Sequence, residues 1–140
     1  MLEFLLGLDG ETYENSSAPQ ATFTLKNNGA QPVLVIKWLT LNHPDELDEC
    51  RQVHLLLRNS AGTELEFAAR VEVGEMSEGD FLELAPGQSI QYTYNLEEYF
   101  NLTRPEQYTA QAVYQNSLDP GYGPAWKGTL TSNTVAFKLA

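Results

Sequence analysis

Four stretches of this chain alternate apolar and polar residues with a period of two, and this constrains the fold more than any other feature. Ala21, Phe23 and Leu25 alternate with Thr22, Thr24 and Lys26, and Ile90, Tyr92, Tyr94 and Leu96 with Gln91, Thr93 and Asn95. Tyr108, Ala110, Ala112 and Tyr114 alternate with Thr109, Gln111 and Gln115, and Val135, Phe137 and Leu139 with Thr134, Ala136 and Lys138. Successive side chains of a strand point to opposite faces, so each run reads as a strand with one buried face. No long stretch shows the 3.6-residue period of a helix. Leu96–Phe100 reads as a single turn of the kind that crosses between sheets.

Turn residues separate the runs. Asn27-Asn28-Gly29 lies between the strand 21–27 and Val33–Trp38, where tolerance of positive φ suits a hairpin turn. Ser60-Ala61-Gly62 divides Val53–Asn59 from Thr63–Ala68 and predicts a second hairpin, placed at a sheet edge. Pro86-Gly87 precedes Ser89–Leu96. Strands spaced in this way belong to a sandwich or barrel. Trp38 lies on the Leu34, Ile36, Trp38 side of its strand and is expected to plug the core. Tyr108 opens a late strand after a crossover, the setting of a tyrosine corner whose hydroxyl bonds an upstream backbone group.

The length of 140 residues suits one domain spanning 1–140, with one ordinary core. Apolar residues make up 42% of the chain, too many for disorder. Eight Lys and Arg face nineteen Asp and Glu, a net charge of −11, which argues against nucleic acid and anionic membrane as partners. A single cysteine, Cys50, permits no intrachain disulfide. The apolar start Met1–Leu8 carries Glu3, lacks a basic leader and is too short to span a bilayer. As written the chain is expected to be cytoplasmic, or secreted if a signal was removed.

The sequence from Ala21 to Gly29, followed by Val33–Trp38, resembles a strand, Asn-Gly turn and Lys-Trp strand found in a known family. Leu82-Glu83-Leu84-Ala85-Pro86-Gly87-Gln88-Ser89, Asn95–Leu102 and Gln107–Ala112 resemble the strand lead-in, crossover and following strand of the same pattern. Together they resemble the immunoglobulin-like accessory domain of deuterolysin-like, peptidyl-Lys metalloendopeptidases, and more loosely the bacterial intracellular proteinase inhibitors. Two departures stand out: Glu106-Gln107 replaces a glycine before the tyrosine, and Val71–Asp80 is acidic where the family is basic. The resemblance implies an immunoglobulin-like antiparallel β-sandwich of seven to nine strands. Its motifs specify a fold rather than an activity, and no protease activity is expected to carry over to residues 1–140.

Catalytic chemistry has little to build on. His43 and His54 lie in no His-Glu-x-x-His motif, and Cys50 has no His signature beside it. Two acidic clusters are conspicuous. Asp45, Glu46, Asp48 and Glu49 are weak calcium candidates without EF-hand spacing, and the base-free stretch 71–103 carries seven acidic residues. Both are read first as solvated acidic faces that aid solubility, and second as surfaces that steer a basic partner. The long connection 116–128 presents Asp119, Tyr122, Trp126 and Lys127 between fixed Pro and Gly positions, a rigid loop suited to partner binding or to covering the sandwich end. The expected function is a non-catalytic binding or accessory module without a required cofactor. Its partner is a protein, such as a protease or a basic protein. The alternatives are a proteinase inhibitor acting through end loops and a calcium-stabilised module. The chain is expected to be a monomer, or a weak homodimer through a sheet edge.

Overall fold

The computed structural model describes residues 1–14, 17–41, 53–68, 80–117 and 124–140. Nine strands are named in them: β1 (Leu2–Leu8), β2 (Thr12–Tyr13), β3 (Gln20–Asn27), β4 (Val33–Ile36), β5 (Val53–Arg58), β6 (Phe81–Leu84), β7 (Ser89–Asn95), β8 (Gln107–Asn116) and β9 (Gly128–Leu139). One sheet has the order β1-β3-β7 and a second the order β2-β9-β8-β5, while β4 and β6 form a separate ribbon. The inward residues of both sheets meet in one apolar cluster, with Phe4, Phe23 and Leu25 from the first and Leu55, Leu57, Tyr114 and Phe137 from the second. This is the expected immunoglobulin-like β-sandwich. No helix among the described residues is long and apolar enough to cross a membrane.

One strand pairing among the described residues departs from a wholly antiparallel sandwich. Thr12 and Tyr13 run parallel to Lys138 and Leu139. The chain leaves the first sheet after Leu8 and enters the second without reversing. Asp9 holds that step: its Oδ1 accepts from the Tyr13 hydroxyl at 2.6 Å and from the Gln20 amide at 3.1 Å. These bonds keep the Asp9 carboxyl below its ordinary range, while burial and the adjoining carboxylate push the Tyr13 phenol up.

The four period-two runs are strands, and their inward residues are buried or packed on the core. The turn at 27–29 is not a hairpin, because β3 pairs with β1 and β7 whereas β4 pairs with β6. The reason lies in the Asn27 side chain. It is fully buried, donates to Gln31 O at 2.8 Å and Leu84 O at 2.9 Å, and accepts from the Gly29 amide. Satisfying that amide sends the chain inward to the ribbon rather than back along β3. Gly29 serves close approach: a Cβ there would meet Met1 N at 2.2 Å.

The second predicted turn forms, with Gly62 at φ 81° and Asn59 N donating to Thr63 O at 2.9 Å. Its return arm is shorter than predicted, a bridge of Arg58 with Glu64 and a bond from Leu65 N to Leu57 O. β5 is the last strand of its sheet, as expected. The crossover is a 3-10 turn at Leu96–Glu98, capped by Asn95 Oδ1 on the Glu97 amide. The Tyr108 hydroxyl donates to Arg104 O at 3.0 Å, completing the predicted corner.

Candidate functional site

The residue expected to plug the core lies on the surface. Trp38 is 41% exposed. Both sides of β4 are apolar, so alternation alone does not say which faces inward. Val33 and Val35 pack on the main core, whereas Ile36, with Leu34 beside it, joins Phe81 and Ala125 in a small separate cluster. Trp38 lies two residues beyond the strand end, outside the Ile36–Phe81–Ala125 cluster, and meets solvent.

Its ring is nevertheless held in place. The indole Nε1 donates to Asp80 Oδ1 at 2.7 Å, and Lys37 N donates to Asp80 O at 2.9 Å. Lys37 Nζ stands 4.8 Å from the ring centroid, within cation–π range. Tyr92 of β7 packs against it with centroids 6.3 Å apart and planes at 50°. Behind it the backbone is anchored, because the Tyr94 hydroxyl donates to Leu39 O and the Leu39 and Leu41 side chains are buried. Burial pushes the Tyr94 phenol up to about 12, so it remains a donor at neutral pH. The result is a pre-oriented indole with an ammonium over it and a phenol beside it. Such a surface suits aromatic or apolar contact edged by charge. Leu82 of β6 is also exposed.

Of the loop residues singled out in the sequence, Trp126 and Lys127 are described, while Asp119 and Tyr122 lie outside the described residues. Trp126 folds back: its ring lies 5.7 Å from that of Tyr114, its amide donates to Leu34 O at 2.8 Å, and its carbonyl accepts from Asn116 Nδ2. It packs against the core as a lid. Lys127 is exposed at the start of β9. Trp126 thus packs on Tyr114, whereas Trp38 packs on Tyr92.

Asp45, Glu46, Asp48 and Glu49, with His43 and Cys50, lie outside the described residues. Among the described residues no group of three His, Cys, Asp or Glu could hold a metal ion. Of the base-free stretch, Asp80 is committed to Trp38, and Glu83, Glu97 and Glu98 are exposed. His54 is buried on β5, and its Nδ1 has no hydrogen-bond partner among the described residues. Desolvation lowers its pKa below the ordinary imidazole value, partly opposed by Glu64. The Tyr114 hydroxyl is likewise buried without a well-formed bond, although the Ile36 backbone is near enough to temper the rise that burial gives its pKa. Glu106, which stands near the expected glycine, accepts from both the amide and the hydroxyl of Ser60 and so ties the 59–63 turn to β8.

Sequence reasoning missed the Lys37–Trp38–Asp80–Tyr92 group as a site. Its members come from three separated segments, and the only local signal was a lysine beside a tryptophan. No family model and no curated protein matches this chain.

Proposed function

We propose that this protein is a non-catalytic protein-binding module of immunoglobulin-like fold that recognises its partner through the Trp38 surface. The observation that carries this reading is an indole exposed to solvent yet fixed by Asp80, Lys37 and Tyr92. An exposed tryptophan costs the free protein hydrophobic stabilisation, and fixing its rotamer lowers the entropy cost of binding. Tryptophan is among the residues most enriched at the energetic centres of interfaces. Lys37 favours a segment with carboxylate or aromatic groups beside its apolar anchor.

The test is selection of a displayed random-peptide library on the intact protein. The reading predicts related binders whose affinity falls by roughly tenfold or more on Trp38→Ala, the loss usual for a central anchor. Binders indifferent to Trp38→Ala, or no enriched sequence at all, would contradict it.

A further inference from the structure

β7 presents an open sheet edge whose chemistry fits its own copy. Two bonds fix the alternation of the β3–β7 ladder: Asn27 N donates to Gln88 O at 2.9 Å, and Leu96 N to Pro19 O at 3.0 Å. In an antiparallel pair the bonded positions recur at every second residue. Ile90, Tyr92 and Tyr94 therefore bond β3. The N–H and C=O groups of Ser89, Gln91, Thr93 and Asn95 point away from it. Among the described residues no other strand pairs along that side, and none gives these groups another hydrogen-bond partner.

The other edges are occupied or short. Asn133 bonds the outward backbone of β1 at Leu6. Thr40 O and Leu65 N close the two ends of β5, and β2 has two residues. Edge strands are commonly protected by charge, proline or a bulge. β7, Ser-Ile-Gln-Tyr-Thr-Tyr-Asn, has no charge and no proline, and its ladder with β3 runs without a register shift.

We infer that two copies of this chain pair through β7, antiparallel about a two-fold axis at Tyr92, to form one continuous six-stranded sheet. A centre on a residue places outward groups opposite outward groups, and Tyr92, the middle residue of Ser89–Asn95, pairs the whole strand: Gln91 faces the second copy's Thr93, and Ser89 faces its Asn95. The side chains repeat chemistry that β7 already makes with β3, where Gln91 donates to Thr24 Oγ1 and the Thr22 and Thr93 hydroxyls bond. On the other side of the sheet Tyr92 meets its own copy at a non-bonded position, where side chains approach closest. The ends are complementary too. Lys26 lies opposite Ser89, and Glu97 and Glu98 follow Asn95, so the two-fold turns the acidic end of one copy towards the basic end of the other. The pairing sets the two Trp38–Tyr92 pairs on either side of the axis. It does not depend on Trp38 being a binding site.

The experiment is sedimentation equilibrium of the full chain from about 1 to 500 μM, the range of weak edge-paired dimers. The expected result is a mass rising from monomer towards dimer, with tighter association at higher salt because each copy carries −11. The Gln91→Lys/Thr93→Lys variant sets like charges opposite each other and weakens association by roughly tenfold or more. Thr129→Lys/Thr131→Lys adds the same two charges at exposed positions of the other sheet and leaves association intact. The Gln91→Lys/Thr93→Glu variant places opposite charges in register and restores the dimer. A monomer throughout overturns the inference, and leaves an extended peptide as the occupant of the edge. A dimer insensitive to Gln91→Lys/Thr93→Lys overturns it equally.

Discussion

The Asn133 side chain bonds both backbone groups of Leu6, accepting from its amide and donating to its carbonyl, each at 2.9 Å. One side-chain amide thus takes the place of a strand neighbour and joins the edge of one sheet to the other. A bulge aims it. Between Gln111–Thr134 and Val113–Thr131, β8 spends one residue, Ala112, and β9 spends two, Ser132 and Asn133. Ser132 Oγ accepts the Ala112 amide at 2.8 Å, which anchors the irregularity. Asn133→Ala leaves both Leu6 groups without this partner. It should cost about 1–3 kcal/mol in denaturant titration and speed hydrogen exchange at the Leu6 amide. Unchanged exchange at Leu6 would refute the bridging role.

The Tyr108–Arg104 corner is a single hydrogen bond, so its removal has a bounded cost. Tyr108→Phe keeps the ring stacked on Phe137, 5.3 Å away, and removes only the hydroxyl. The expected loss is about 1 kcal/mol in urea unfolding with an unchanged m-value. A loss near zero would mean that water replaces the hydroxyl without cost.

His54 makes stability depend on pH in a definite direction. Its folded pKa lies below the ordinary value because burial disfavours the cation. The unfolded chain therefore binds the proton more readily. The stabilisation is full above about pH 6.5 and is lost as pH falls, levelling off below the folded pKa. His54→Gln should flatten this slope between about pH 7 and 5 in urea titrations, while the steeper decline near pH 4, to which Asp9 and Glu106 contribute, persists. Equal slopes for the two proteins would show that His54 does not titrate with folding.

The two tryptophans should differ in what they give to stability. Trp126 packs on Tyr114 and the core, so Trp126→Ala should cost about 2–4 kcal/mol. Trp38→Ala should cost under about 1 kcal/mol, because much of its ring is already in water. Thermal or chemical unfolding of both variants decides this, and the reverse ranking would restore Trp38 to the core.

Strand alternation was legible because β3, β7, β8 and β9 each have one polar side. Ala21, Phe23 and Leu25 have one face on which to be buried. β4 was not legible in that way, since Val33-Leu34-Val35-Ile36 is apolar on both sides and serves two clusters. The strand β1 was obscured for a similar reason: Leu5 is apolar yet points outward between Phe4 and Leu6. Tyr108 could be placed because a corner is a local device whose two ends lie four residues apart. Trp38, Asp80 and Tyr92 meet only through tertiary structure, and no spacing in the sequence brings them together. The same holds for Asn133 and Leu6, 127 residues apart.

The central claim is that Trp38, not the loop at 116–128, carries the indole held ready for a partner. Acrylamide quenching of single-tryptophan proteins tests it directly. In the folded Trp126→Phe protein, Trp38 should show red-shifted emission and quench readily. In the Trp38→Phe protein, the remaining Trp126 should emit further to the blue and resist quenching. A blue-shifted, protected Trp38 in the folded Trp126→Phe protein would contradict the account.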